Sequence, residues 1–149
     1  MRCGLGALAI NLSLPVLVVD DYPTMISIVR KQLNRFGFGN VFDAADGSQA
    51  LAMMHTQDIG LVISDWNMHP MSGYQLLLEV RADEKLKTTP FLLVTAESKP
   101  EKFTAAQIAG ADAYIVKPFN AATLKSKLEK VLGKFAEPPV EYEPLSFLR

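Results

Sequence analysis

Five polar residues stand where the chain passes from apolar to charged. Asp20 and Asp21 follow the run Val16–Val19, Asp65 follows Ile63-Ser64, Thr95 follows Val94, and Lys117 follows Val116. Three carboxylates brought close together repel one another, and at least one takes up a proton unless a cation compensates it. Oxygen ligands of this kind suit Mg²⁺, which uses one or two carboxylates and keeps several waters. The three acidic charges are then balanced by the divalent ion and the Lys117 ammonium, a point charge on a long stem suited to a phosphate oxygen. Thr95 adds a hydroxyl donor. A nucleophile, a metal, a cation and an oriented donor are the parts that phosphoryl transfer requires. Taken singly the residues are less telling. Asp20-Asp21 could cap a helix start, and a lone lysine at position 117 would more often be solvated surface.

The elements that must position these groups are readable from periodicity. Val16–Val19, Leu61–Ile63, Phe91–Val94 and Ala113–Val116 are continuous apolar runs, with Val41-Phe42 a shorter one. Runs without alternation suit parallel strands covered on both faces. Between them, Ile26, Val29, Leu33 and Phe36 repeat at helical spacing, as do Leu124, Leu128 and Val131. Tyr74, Leu77, Leu78 and Arg81 predict a third helix. Phe103, Ala106 and Ala109, ahead of Gly110, predict a fourth, and Gly47 opens a shorter one around Ala50, Leu51 and Met54. Asn120 is placed to cap the last helix. The order is β then α, five times. Right-handed crossovers make of it an α/β, doubly wound (βα)5 domain with helices on both faces of a parallel sheet. Ligands of such sheets bind at the carboxyl ends of the strands, the edge to which four separate strands deliver the polar residues above. If the first and third strands are neighbours, the three carboxylates meet there.

The segments VVDD (18–21), SDWNM (64–68), VTAE (94–97) and YIVKPF (114–119) resemble those of the response-regulator receiver domain over residues 14–134, and most nearly those of single-domain chemotaxis regulators. The resemblance implies the flavodoxin-like strand order 2-1-3-4-5. It implies that Asp65 accepts a phosphoryl group from a histidine of a partner kinase. Asp20, Asp21, Asp65 and the backbone carbonyl of Asn67 would hold Mg²⁺. Lys117 would contact the phosphate, with the Lys117-Pro118 peptide cis. Thr95 would move toward the phosphoryl group and Tyr114 swing inward behind it, altering the face made by the fourth helix, fifth strand and fifth helix. Asn67 and Glu97 occupy the two positions that set the rate of acyl-phosphate hydrolysis, and their types imply a short-lived phosphoryl state. The implied partners are a histidine kinase, an output protein such as a flagellar motor switch protein, and a phosphatase. The chain would be a phosphoacceptor switch with intrinsic autophosphorylation and autodephosphorylation, not an enzyme acting on an outside metabolite. The alternatives are a receiver serving another pathway, or a phosphate sink with no output target. One departure stands out: proline usually follows DWNM directly, whereas here His69 precedes Pro70. That places an extended residue with a free N–H beside the site, either to modulate access and docking or as neutral loop variation.

Several neighbours have simpler readings. Trp66 is expected as a half-exposed packing residue, Tyr114 as an amphipathic switch residue rather than plain core, and His55 as a favourable charge at a helix end. Met53-Met54 and Met68-Met71 are packing or loop residues.

Composition narrows the partners. The 149 residues fit one domain. Fifteen basic against sixteen acidic side chains do not form the footprint of a nucleic-acid or anionic-membrane binder. The lone Cys3 excludes an internal disulfide or a cysteine-rich zinc site and fits a reducing cytoplasm; a monomer is expected. The apolar stretch from Gly4 is broken by Asn11, Ser13 and Pro15, so it is a poor signal peptide and too short to span a bilayer. Residues 1–13 are expected as a loose leader, 14–134 as the receiver, and 135–149 as an acidic proline-rich tail too short for a DNA-binding module. A flavodoxin-type FMN carrier is disfavoured because Asp-Asp-Tyr-Pro-Thr stands where a phosphate loop should be. An aspartyl-phosphate phosphatase would need Asp-x-Asp and a cap, and a serine hydrolase would need a G-x-S-x-G elbow.

Overall fold

The computed structural model describes residues 9–135. Five parallel strands, β1 (Val16–Val19), β2 (Val41–Ala44), β3 (Leu61–Asp65), β4 (Phe91–Thr95) and β5 (Ala113–Val116), form one sheet in the order β2-β1-β3-β4-β5. They alternate with α1 (Pro23–Phe36), α2 (Gly47–Thr56), α3 (Gly73–Ala82), α4 (Pro100–Ala109) and α5 (Ala121–Leu132). This is the doubly wound fold and strand order expected, and the strands read as apolar runs because both faces are covered. Leu17, Val19, Val62, Phe91 and Leu93 pack on one side with Ala50, Leu76 and Ala106 of α2, α3 and α4. Their neighbours Val16, Val18, Ile63, Leu92 and Val94 point the other way, onto Leu33 and Leu124 of α1 and α5.

Local signals set the helix ends. Pro23 and Pro100 lie in the first turns of α1 and α4, where their missing N–H costs nothing. The Asp46 and Asn120 side chains accept backbone N–H groups at the starts of α2 and α5. Ser72 and Gln75 form a reciprocal capping box on α3, a signal legible as S-x-x-Q but missed by periodicity alone. The cap position of α1 falls on Tyr22, without a side-chain bond. The helix-cap reading of Asp20-Asp21 is therefore corrected. Asp20 instead accepts the Tyr22 N–H at 2.9 Å, turning the chain out of β1.

Three further expectations change. The buried stripe of α3 is Gly73, Leu76, Leu77 and Val80, and Leu78 is exposed. Arg81, at the end of the same helix, is only partly exposed. It donates to the carbonyls of Gly110, Lys87 and Thr89 and to Asp112, tying α3 to the loops that lead into β4 and β5. Gly110 closes α4 at φ 103°, and a Cβ there would come within 3.0 Å of that guanidinium. The leader is not loose throughout. The Ile10 N–H bonds the Lys134 carbonyl at 2.9 Å, and Ile10 is buried against the α1–α5 side of the sheet, because apolar surface there would otherwise face water. Phe135, placed in the tail, packs its ring on Phe36 and Phe38. Residues 1–8 and 136–149, with most of the leader and tail and Cys3, lie outside the described residues. Among the described residues no helix is long and apolar enough to cross a membrane.

Candidate metal and phosphoryl site

The sheet register assembles the site. Val19 pairs with Ser64, so Asp20 and Asp65 both emerge at the carboxyl edge of adjacent strands. Thr95 pairs with Val116, and the Lys117 N–H bonds the Thr95 carbonyl at 2.7 Å, extending the ladder by one residue. On the far side of Asp65, the Trp66 N–H bonds the Val94 carbonyl and the Trp66 carbonyl accepts the Gly73 N–H, each at 2.8 Å. The last bond requires a glycine, since a Cβ at position 73 would lie 1.9 Å from the Asp65 carbonyl oxygen. Gly73 was not singled out from the sequence, since only the docking of α3 on the end of β3 gives it a role.

Asp20, Asp21 and Asp65 present carboxylate oxygens within 4.8 Å of one another. Asp20 and Asp65 are buried and Asp21 is exposed, so the cluster opens on one side. The Lys117 ammonium lies 3.0 Å from Asp65 Oδ1 and 3.6 Å from Asp20 Oδ2. Burial pushes both buried carboxyls above the usual carboxylate range. The Tyr22 N–H partly offsets this at Asp20, and the Lys117 hydrogen bond does so at Asp65. Burial pulls the Lys117 ammonium down, but the hydrogen bond and charge of Asp65, with the charge of Asp20, outweigh it and leave the lysine above its ordinary value. One lysine thus leaves three clustered carboxylates under-compensated, which is the environment a hard divalent cation with oxygen ligands fits.

Thr95 is fully buried, and its hydroxyl accepts the Glu97 N–H at 3.2 Å. The Glu97 carbonyl in turn accepts the Tyr114 hydroxyl at 3.0 Å, so Thr95, Glu97 and Tyr114 form one connected edge. Asn67 and His69 are exposed on the loop after β3, and both the His69-Pro70 and the Lys117-Pro118 peptides are cis. Trp66 is buried rather than half-exposed, because Tyr74 stacks on its ring at 5.0 Å. Met54 and Met68 are buried packing residues, and His55 lies 3.4 Å from Asp83.

A doubly wound sheet with clustered carboxylates and a lysine at its carboxyl edge defines a class of phosphoacceptor domain, and comparison with known proteins agrees. The family model for the response regulator receiver domain matches residues 16–129, and the chain belongs to that family. It is 48% identical over 125 residues to the chemotaxis protein CheY-3 of Vibrio cholerae, covering 84% of this chain and 96% of the relative. It is 46% identical over 119 residues to the chemotaxis protein CheY of Pseudomonas aeruginosa, covering 80% and 96%. The crystal structure of Vibrio cholerae CheY4 superposes with a TM-score of 0.75 at 39% identity, covering 80% of this chain and 98% of that one. The receiver domain of a Pseudomonas aeruginosa sensor histidine kinase, solved with a magnesium ion coordinated in its active-site cleft, superposes at 0.73 with 27% identity, covering 80% and 98%. The chain is therefore a CheY-like receiver, of a type that acts as a phosphoacceptor switch rather than as an enzyme turning over an outside substrate.

Proposed function

We propose that the chain is a stand-alone response regulator in which Asp65 accepts a phosphoryl group from a histidine kinase. A carboxylate oxygen of Asp65 attacks phosphorus, the P–N bond to the kinase histidine breaks with its electron pair left on the imidazole nitrogen, and an acyl phosphate forms. Asp20, Asp21, Asp65 and the Asn67 carbonyl are the residues that would hold Mg²⁺, which when bound supplies positive charge against the phosphoryl oxygens. Lys117, kept protonated by its acidic neighbours, remains charged at neutral pH and turns from Asp65 toward the new phosphate. The Thr95 hydroxyl reorients to donate to a phosphoryl oxygen, and its link through Glu97 carries that change to Tyr114 and the α4–β5–α5 face. Asn67 and Glu97 flank the acyl phosphate and set its hydrolysis by water, giving a short-lived state.

The observation that carries this reading is the Lys117 ammonium seated between Asp65 and Asp20 at the sheet edge where Asp21 completes an oxygen cluster. The identity to chemotaxis proteins from two organisms supports an output in chemotaxis, with a flagellar motor switch protein as target and a phosphatase as antagonist. The test is intact-mass analysis after incubation with acetyl phosphate and Mg²⁺. One added phosphoryl group is expected, absent in Asp65→Asn, and decaying well within an hour once the donor is removed. An unmodified wild-type mass, or a phosphoryl half-life of many hours, overturns the assignment. Equal capture of a motor switch protein by wild type and Asp65→Asn would remove the chemotaxis output and leave a sink.

A further inference from the structure

The residue after Asp65 is clasped by two helices. Trp66 has its backbone fixed by the Val94 carbonyl on one side and the Gly73 N–H on the other. Its ring stacks on Tyr74 of α3 at 5.0 Å with 14° between planes. The Lys102 ammonium, in the first turn of α4, lies 4.6 Å from the indole centroid. Tyr114 meets the same indole edge-on at 6.3 Å, and Phe103 of α4 meets Tyr114 edge-on at 5.7 Å. Trp66, Lys102, Phe103 and Tyr114 therefore close a ring that joins the Asp65 loop, α4 and β5 by a route separate from the Thr95–Glu97–Tyr114 hydrogen bonds.

We propose that Lys102 and Tyr74 are positioning residues, which latch α4 to the indole beside Asp65 and thereby hold the Tyr114 ring in its contact with Trp66. Tyr74 fixes the plane of the indole, since an offset stack resists tilt. Lys102 then ties the start of α4 to that plane, a contact whose strength follows the ring's electron-rich face. Phe103, next in sequence, is carried with it against Tyr114. Loss of either anchor frees α4 to shift and lets Tyr114 leave the indole edge. As a device for setting the switch the latch rests on the receiver reading above, but its effect on Tyr114 exists without phosphate.

The chain contains one tryptophan and four tyrosines, so both sides of the contact can be observed. Full-length chain carrying 3-fluorotyrosine is followed by ¹⁹F NMR, with the Tyr114 signal assigned by Tyr114→Phe, alongside Trp66 emission. In Mg²⁺ alone, Lys102→Met is expected to change the ratio of Tyr114 positions in and out of the indole contact by roughly two- to five-fold, the size of one partly exposed cation–π contact. Lys102→Arg restores the wild-type ratio, which a merely structural lysine would not require. Tyr74→Leu has the same direction, and the double variant adds little, because either loss opens the same ring. An unchanged Tyr114 signal and Trp66 emission in Lys102→Met, or fully additive effects of the two substitutions, overturns the latch. Beryllofluoride, a phosphoryl mimic, is added in a second arm. If it moves no signal in the unsubstituted chain, the phosphoacceptor reading fails, while the ligand-free arm still decides the latch.

Discussion

Replacing Lys117 with methionine keeps most of the stem but removes the ammonium 3.0 Å from Asp65 and 3.6 Å from Asp20. Deleting one partner of a buried ion pair costs about 3–5 kcal/mol, because the remaining charge stays buried alone. The Lys117 side chain is 19% exposed and that of Asp65 8%, so solvent screening brings the expected loss below that range, to about 2–3 kcal/mol at neutral pH in chelator. With a urea slope of about 1–3 kcal/mol per molar, the unfolding midpoint falls by about 1–2 M. The pH dependence has a definite sign. Burial holds Asp20 and Asp65 above 3.8, so the folded chain binds their protons more tightly than the unfolded chain does. Their favourable contribution is present in acid and is lost as pH rises from 3.8 through the folded values. Without Lys117 those values climb further, so the deficit of the variant is greatest at neutral pH and closes as pH falls toward 3.8. Lys117 itself, raised above 10.5, stabilises the folded chain below that pH, and the contribution is lost as pH rises through its folded value. Urea titrations of both proteins in chelator, across pH and with added Mg²⁺, measure each term. An unchanged midpoint at neutral pH, or a deficit equally large in acid and in Mg²⁺, would refute the view that Lys117 is the counter-charge of a crowded carboxylate cluster.

The other substitutions probe the frame around the site. Asp20→Asn relieves crowding, so in chelator the midpoint rises by the equivalent of about 0.5–2 kcal/mol, while Mg²⁺ affinity, read by Trp66 emission, falls by roughly 10–100-fold or more. A lower midpoint in chelator would contradict this. Gly73→Ala sets a methyl group 1.9 Å from the Asp65 carbonyl. It should cost roughly 1–3 kcal/mol and slow phosphoryl incorporation, and wild-type values for both would mean that α3 does not dock so closely. Arg81→Ala removes the donor shared by the carbonyls of Gly110, Lys87 and Thr89, and leaves the Asp112 carboxylate with the Phe91 N–H. We expect a loss of about 2–4 kcal/mol, poorly rescued by lysine, which lacks the fork. Loss of amide-exchange protection at the α3–β4 and α4–β5 loops would locate the effect, and a midpoint within error of wild type would refute it.

Much of the fold was legible because its signals are local. Unalternating apolar runs follow from strands covered on both faces, and they ended where the strands end, apart from the extension of β2, β3 and β4 to Ala44, Asp65 and Thr95. The helices were found by spacing, but their faces were less secure. A short helix such as α3 carries enough leucine that Leu78 fits the periodic pattern as well as Leu76, and only the position of the sheet separates them. The burial of Trp66 was not legible for a related reason. Tyr74 and Lys102 lie 8 and 36 positions away in the chain, and nothing in the local pattern marks them as neighbours of the indole. Gly73 and Arg81 share this difficulty. A glycine after a serine and an arginine in a helix are unremarkable until the carbonyls they face are known.

By itself the sequence determined the alternation of five strands and five helices and the polar residue that ends each of four strands, since periodicity, caps and turns depend on residues a few positions apart. Resemblance supplied the strand order. Tertiary structure decided what sequence distance hides. Parallel pairing of β1 with β3 brings Asp20 and Asp21 to Asp65, and the pairing of β4 with β5 carries Lys117 back across nearly a hundred residues to lie between them. The electrostatics of the site follow from that convergence. Burial raises the carboxyls, the lysine offsets only part of their charge, and the remaining demand for a cation exists only once the sheet has closed.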